Sequence, residues 1–165
     1  MTPIRRLGPA DAASFRTLRL HALRTEPASF GMSCAEEEAL PAAAWPSLLE
    51  SAAVFAAEGR DGALLGSAGL RVEGPEKLRH KGTVWGVYVR PEARGTGLAP
   101  ALLAAVLAHA ATVVEEVRLT VSGDNPAAVA LYARAGFVAY GRDVRGLKIG
   151  AEYYPELLMA LSLPR

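Results

Sequence analysis

The feature that most constrains this sequence is a strand-like run that leads through a glycine turn into an apolar helix. Residues 83–89 are dense in β-branched and aromatic side chains, which predicts a strand. Gly95 and Gly97 follow, and residues 98–111 are apolar on most sides, which predicts a helix buried against a sheet. The chain therefore brings a strand end, a tight turn and a helix N-terminus to one place.

The glycine turn predicts a site for an anion. Glycines let the backbone turn without Cβ clashes, and the first N–H groups of a helix lack internal partners and carry the positive end of the helix dipole. A phosphate or pyrophosphate is the natural ligand of such a site. The turn has neither the Lys-Ser/Thr pair of a P-loop nor the third glycine of a dinucleotide fingerprint. Pro100 has no N–H to donate, so the predicted donors end at Ala99.

The other segments predict one α/β domain that spans residues 1–165. Strand patterns occur in six further segments: 4–7, 54–58, 64–70, 117–121, 137–140 and 157–163. Helix patterns occur in three further segments: 15–23, 40–49 and 127–135. Strand 117–121 follows strand 83–89 through a helical crossover, so the two should run parallel. Residues 142–154 are rich in glycine and charge, and we expect a connection that overhangs the opening between the parallel strands.

The composition argues against several classes of function. A net charge of +1 with dispersed charged residues provides no basic stripe, so we expect no nucleic-acid partner. Cys34 is the single cysteine, which excludes an intrachain disulfide and a cysteine-based zinc cluster, and we expect no metal. No charge-free segment approaches the length of a membrane span, so we expect no membrane partner. A cytoplasmic protein is the expectation that fits these features.

A second motif occurs in the segment 125–137, which runs Asn-Pro-Ala-Ala-Val-Ala-Leu-Tyr-Ala-Arg-Ala-Gly-Phe. The glycine turn supplies a first motif, Arg-x-x-Gly-x-Ala, at Arg94, Gly97 and Ala99. Together, and at this separation, the two motifs resemble those of the GNAT N-acetyltransferase superfamily, in which the first binds the pyrophosphate of acyl-coenzyme A. The resemblance covers about residues 83–140.

The resemblance implies a fold and an activity. The fold would be α/β, with a mixed, mostly antiparallel sheet of about six or seven strands that is splayed between two central parallel strands and flanked by about four helices. The activity would be direct transfer of an acetyl group from acetyl-coenzyme A to a primary amine of a small molecule or peptide, without a covalent acyl-enzyme. In the family, segments equivalent to about residues 25–50 and 142–154 set the acceptor, and a homodimer is one of the known assemblies.

The resemblance also implies a cofactor site. Backbone groups of Val87, Tyr88 and Val89 would bind the pantetheine arm, and an N–H at or next to Val87 would polarise the thioester carbonyl. The pyrophosphate would bind N–H groups of the following loop residues: Arg94, Gly95, Thr96, Gly97, Leu98 and Ala99. The side chain of Arg94 would lie near the phosphates or brace the loop. An ordinary buried strand is the alternative interpretation of residues 87–89, and a solvated surface charge is the alternative for Arg94.

Tyr132 is the predicted catalytic residue. It lies one helical turn after Ala128 and two turns after Asn125, so the three residues share a helix face. By the resemblance, all three would contact the cofactor, and the Tyr132 hydroxyl would protonate the departing thiolate as general acid. A core tyrosine with a hydrogen-bonded hydroxyl is the alternative for Tyr132, and a helix cap is a compatible role for Asn125.

The general base is not assigned by the sequence. Thr83 occupies the position at which some relatives have a glutamate, and a threonine side chain cannot act as this base. Six other side chains are candidates, each better explained as a solvated surface residue: Glu36, Glu37, Glu38, Glu73, His80 and Glu152. His21 and His109 are most simply packing or surface residues of helices, and Cys34 is most simply a small, partly buried side chain.

The missing base keeps a second function open, that of a non-catalytic sensor that binds acyl-coenzyme A without turning it over. A third function is that of an ordinary phosphate- or nucleotide-binding α/β protein, in which the segment 125–137 is only a capped helix. The sensor would acetylate no amine, and the nucleotide-binding protein would prefer nucleotides to acetyl-coenzyme A.

Overall fold

A seven-stranded mixed sheet forms the centre of the protein, whose computed structural model describes residues 2–164. The strands have these bounds: β1 (Ile4–Arg6), β2 (Ala53–Glu58), β3 (Leu64–Val72), β4 (Lys81–Val89), β5 (Glu116–Ser122), β6 (Val138–Ile149) and β7 (Glu152–Ser162). Their order across the sheet is β1-β2-β3-β4-β5-β7-β6. Over the described residues, β4 and β5 form the one parallel pair, and the other neighbours are antiparallel. The predicted mixed, mostly antiparallel sheet is confirmed.

Helices cover both faces of this sheet. The described part of the chain has five α-helices: α1 (Ala12–Thr25), α2 (Cys34–Glu38), α3 (Ala44–Ser51), α4 (Leu98–Val113) and α5 (Pro126–Arg134). Four of them are confirmed predictions, and α2 is additional. This short helix begins with a capping box, in which the Ser33 hydroxyl accepts from the Glu36 N–H and the Glu36 carboxylate accepts from the Ser33 N–H.

The helix α4 lies in the larger of two apolar cores. Its residues Leu103, Val106 and Ala110 recur at spacings of three and four and are at most 1% exposed. The helix α5 joins the same core, whereas α1 and α3 join the other. Successive residues of β2 belong to different cores, as with Ala53 and Val54. Because successive side chains of a strand point to opposite faces, the two cores lie on opposite faces of the sheet.

The two parallel strands separate part-way along their length. Their pairing begins at Lys81 of β4 and ends at Thr83, although β4 continues to Val89 and β5 continues to Ser122. Beyond Thr83 the backbones of the two strands therefore face a gap instead of a neighbouring strand. The predicted splay of the sheet between its central parallel strands is confirmed.

The segment 142–154 is not the connection that the sequence predicts, because most of it is paired within a β-hairpin. The strand β6 continues to Ile149 and β7 begins at Glu152, with Gly150 in the tight turn at a φ of 60°. Two register shifts in β6 interrupt the alternation by which a strand is recognised. As an edge strand, β6 also carries exposed, charged side chains. The prediction was wrong because a bulged polar edge strand has the composition of a loop.

Replacing Val106 by alanine tests how much the α4 core contributes to stability. Val106 is 0% exposed, whereas Val113, in the last turn of the same helix, is 46% exposed. We expect Val106→Ala to lower the free energy of unfolding by about 2 kcal/mol, because buried methyl groups are lost and a cavity remains. Val113→Ala should change it by less than about 0.5 kcal/mol. Urea denaturation followed by circular dichroism measures both values, and equal losses would contradict the assignment of the buried face.

Candidate functional site

Two cavities meet where β4 and β5 separate. A cavity of about 90 Å³, called the opening below, lies between the separated strands. A groove of about 400 Å³ extends from it to the N-terminus of α4. Five residues line both the opening and the groove: Glu26, Val87, Asn125, Ala128 and Tyr132. An extended molecule that lies in the groove therefore reaches the opening at these five residues.

The loop before α4 forms the far end of the groove. Gly95 and Gly97 have φ angles of 74° and 83°, a left-handed conformation that favours glycine. Both residues are exposed, and no side chain caps the first turn of α4. The Thr96 hydroxyl donates to the Ala93 carbonyl at 2.6 Å, which holds the turn. The loop has the form that the sequence predicts, with uncapped N–H groups at the positive end of a helix dipole, and anion binding stays a prediction.

The side chain of Arg94 folds back from this loop onto neighbouring elements. Its Nε donates to the Val89 carbonyl at 3.0 Å, and its Nη2 donates to the Glu26 carboxylate. The guanidinium carbon lies 5.8 Å from the centre of the Tyr88 ring. Arg94 therefore braces the loop against β4 and the end of α1, which is one of the two roles predicted for it.

The backbone of β4 turns polar groups toward the opening. The Arg90 N–H, directly after β4, donates to the Leu65 carbonyl of β3 at 2.8 Å. Because successive peptide groups of a strand alternate in direction, the N–H of Val89 faces away from β3, and a register shift in the β3–β4 pairing lies next to Val87. On that side β5 no longer pairs with β4. Val87 lines the opening on this side of β4, and donation from its backbone N–H to a thioester stays a prediction.

The side chain of Tyr88 is buried beneath α1, although the residue also lines the groove. Its hydroxyl lies 2.9 Å from Nδ1 of His21 and 3.3 Å from Oγ1 of Thr25. The hydroxyl is thus engaged on the α1 side of β4. Only the rest of the residue is available to a molecule in the groove.

The helix α5 places Asn125, Ala128 and Tyr132 on one wall, as their spacing predicts. Asn125 caps the helix, since its Oδ1 accepts from the Ala128 N–H at 3.1 Å. Tyr132 is 8% exposed and packs edge-on against Phe137. No hydrogen bond from its hydroxyl to another described residue occurs in the structure, and burial raises the pKa of Tyr132 to about 12. The phenol therefore stays protonated at neutral pH, as a proton donor must.

The six candidate bases of the sequence lie outside the opening and the groove. Glu37 is not a surface residue as expected, because the guanidinium of Arg19 bonds both of its carboxylate oxygens in a buried pair. Glu73 accepts from the Thr83 hydroxyl at 2.9 Å. The remaining four candidates are exposed, as expected: Glu36, Glu38, His80 and Glu152.

The other singled-out side chains have packing roles. His109 packs against Phe55, and its pKa is lowered by burial and by the nearby Arg6. His21 contacts Tyr88, as described above. Cys34 is partly buried, with its Sγ 3.8 Å from the Leu20 carbonyl.

Glu26 is the residue at the site that the sequence interpretation missed. It is the residue that ends α1, directly before Pro27. No motif includes it, and it lies far along the chain from both motifs. Only the packing of α1 against β4 brings its carboxylate to the junction of the two cavities.

Residues 2–164 contain neither a metal-ligand cluster nor a membrane-spanning helix. No group of histidine, cysteine, aspartate and glutamate side chains in that range is arranged to hold a metal ion. Of the helices in the same range, none is both long and apolar enough to cross a membrane.

A mixed sheet that splays at one parallel pair, with a glycine loop at the end of the resulting groove, is the fold that this chain shares with solved GNAT-family structures. The chain belongs to the acetyltransferase (GNAT) family, whose family model matches residues 18–137. This family is the one that the two sequence motifs predict.

Individual relatives agree with this assignment. The chain is similar to a mycothiol acetyltransferase of Paenarthrobacter aurescens (strain TC1), with 35% identity over 137 residues, or 81% of this chain and 41% of that protein. It thus spans less than half the length of this curated relative. In structure it is similar to a GNAT-family acetyltransferase of Streptococcus pneumoniae, with a TM-score of 0.87, 22% identity and coverage of 99% and 100% of the two chains.

A second solved structure was determined with a ligand. The phosphinothricin acetyltransferase of Sinorhizobium meliloti, in complex with acetyl-coenzyme A, aligns with a TM-score of 0.80 and 20% identity. The alignment covers 98% of this chain and 88% of that one. At this identity the likeness establishes the fold.

Replacing Tyr132 by phenylalanine separates folding from chemistry. Because its hydroxyl has no hydrogen bond to lose, Tyr132→Phe should leave the free energy of unfolding unchanged within about 0.5 kcal/mol or raise it. Tyr88→Phe is the matched control, since it removes a buried hydroxyl that contacts His21 and Thr25, and should cost about 1–2 kcal/mol. Urea denaturation measures both free energies of unfolding. If Tyr132→Phe lowered this free energy as much as Tyr88→Phe does, the Tyr132 hydroxyl would be a structural group.

Proposed function

We propose that this protein transfers the acetyl group of acetyl-coenzyme A to the primary amine of a small molecule or peptide. The observation that carries the proposal is the junction of the opening and the groove, where the β4 backbone and Tyr132 lie at one end of a path that begins at the α4 loop. Membership of the GNAT family, and a relative solved with acetyl-coenzyme A, support the same donor.

In the proposed complex, acetyl-coenzyme A lies extended along the groove. The pyrophosphate binds the N–H groups of the loop and first turn of α4: Arg94, Gly95, Thr96, Gly97, Leu98 and Ala99. The pantetheine arm bonds the peptide groups of Val87 and Val89, in place of the missing strand neighbour. Asn125 and Ala128 form the opposite wall, and the thioester reaches the opening beside Tyr132.

The proposed reaction is a direct displacement at the thioester carbonyl. The amine nitrogen forms a bond to the carbonyl carbon, and the Val87 N–H donates to the carbonyl oxygen as negative charge develops there. The C–S bond then breaks, and Tyr132 gives its proton to the leaving sulfur. The amine nitrogen loses one proton as the amide forms, and Tyr132 regains a proton from solvent. No acyl-enzyme is required, because the amine attacks acetyl-coenzyme A itself.

The acceptor is proposed to approach from the α1 side of the sheet. A third cavity, of about 460 Å³, lies between residues 27–36 and the tip of the β6–β7 hairpin at residues 147–150. Phe30 lines both this cavity and the opening, so the two adjoin. These are the two segments that the resemblance implicates in acceptor choice. Since the curated relatives carry the name mycothiol acetyltransferase, small-molecule amines come first in a screen.

Thermal melting tests the donor site. At a hundredfold excess over its dissociation constant, acetyl-coenzyme A should stabilise the fold by about 2.7 kcal/mol, which raises Tm by roughly 5–10 °C. Gly97→Glu should abolish the shift, because it places a carboxylate at the anion site and a side chain at a φ of 83°. Gly74→Glu, the same change in an exposed loop outside the site, should keep the shift. A shift with ATP or NAD in place of acetyl-coenzyme A would contradict the proposal.

Thiol release from acetyl-coenzyme A with a panel of amines tests the transfer. Tyr132→Phe should lower kcat by roughly a hundredfold, because the thiolate then leaves without a positioned acid. The variant should still bind acetyl-coenzyme A, because the hydroxyl is only one of the many groups that line the opening and the groove. Wild-type binding without release in the presence of any amine would instead support the non-catalytic sensor.

A further inference from the structure

Glu26 occupies the position where a proton acceptor for the reaction is needed. Among the described residues it is the one carboxylate that lines both the opening and the groove. The other residues at this junction are Val87, Asn125, Ala128 and Tyr132, all of which the proposed mechanism already uses. In the proposed complex, the donor and the acceptor meet at this junction.

The contacts of Glu26 leave part of its carboxylate available. Arg94 donates to Oε1, and no hydrogen bond to Oε2 occurs within the described chain. The side chain is 31% exposed, so it is within reach of an incoming molecule. The Arg94 contact also determines where the carboxylate lies, since the same guanidinium bonds the Val89 carbonyl of β4.

The other carboxylates near the sheet are less well placed. Glu73 bonds to Thr83, at the end of the segment where β4 and β5 still pair, and neither residue lines the opening. Glu37 has both oxygens bonded to Arg19. Glu26 therefore differs from both, because it lines the opening and its Oε2 accepts no hydrogen bond within the described chain.

We propose that Glu26 is the general base of the acetyl transfer, an inference that rests on the function proposed above. As the amine nitrogen bonds to the thioester carbon, the nitrogen gives its proton to Glu26, and the sulfur takes the Tyr132 proton as the C–S bond breaks. Glu26 then returns its proton to solvent, and Tyr132 regains one. The products are the amide and the free thiol, and the protein ends as it began.

Glu26→Gln tests this assignment by removing the basic oxygen at constant side-chain size. With acetyl-coenzyme A and the amine that the wild-type protein acetylates fastest in the panel, kcat should fall by roughly a hundredfold or more. The dissociation constant of acetyl-coenzyme A should change by less than about threefold. The matched control is Glu38→Gln, which removes a carboxylate paired with Arg24 at 3.3 Å on the surface and should keep the wild-type rate.

A role in bracing the loop must be distinguished from a role as base. Arg94→Gln removes the Arg94–Glu26 ion pair while Glu26 is kept. This variant should raise KM for acetyl-coenzyme A more than it lowers kcat. If Glu26→Gln has that same pattern, with kcat retained, Glu26 is only a brace and the proposal is overturned. A loss of kcat at unchanged KM for acetyl-coenzyme A supports it.

Replacement by a shorter carboxylate supplies a second readout. Glu26→Asp keeps a carboxylate at this position, so with the same amine it should retain more of the wild-type kcat than Glu26→Gln does. Equal losses of kcat in the two variants would overturn the proposal.

Failure of this proposal is distinguishable from failure of the proposed function. If acetyl-coenzyme A does not shift the melting of the wild-type protein, or no amine is acetylated, the function itself is wrong and Glu26 has no reaction to serve. If the wild-type protein acetylates an amine and Glu26→Gln keeps its rate within about twofold, only the role of Glu26 is wrong.

Discussion

The loss of pairing between β4 and β5 beyond Thr83 is the constraint on which the rest of the structure depends. Buried peptide groups need hydrogen-bond partners. Where the two central strands part, their facing N–H and C=O groups have no partner on the neighbouring strand. The sheet stays intact because β4 pairs with β3 and β5 pairs with β7 along their outer sides. The gap between them is thereby held open.

Three elements meet at this gap through a single side chain. Arg94 links the glycine loop to β4 through the Val89 carbonyl and to the end of α1 through Glu26. The buried pair of Arg19 and Glu37 performs a similar task nearby, since the guanidinium also lies between the rings of Phe30 and Trp85. These contacts join the glycine loop and β4 to residues 26–37, part of which lines the third cavity.

Residues close together in the sequence were predicted well. The glycine loop and the wall of Asn125, Ala128 and Tyr132 follow from turn chemistry and helical spacing, which need only local sequence. The failures concern segment 142–154, Glu26 and Glu37. The first is a bulged edge strand without apolar alternation. The other two are glutamates whose surroundings depend on how α1 packs against the sheet and against α2.

The sequence by itself determined the two motifs, the family they indicate and the strand–loop–helix unit around Gly97, because each depends on interactions between near neighbours in the chain. Only the tertiary structure decided that Glu26 lies at the junction of the opening and the groove, that Tyr88 turns its hydroxyl toward His21, and that Glu37 is buried against Arg19. The physical reason is that these contacts form between elements whose relative positions are set by the packing of two cores on opposite faces of one sheet.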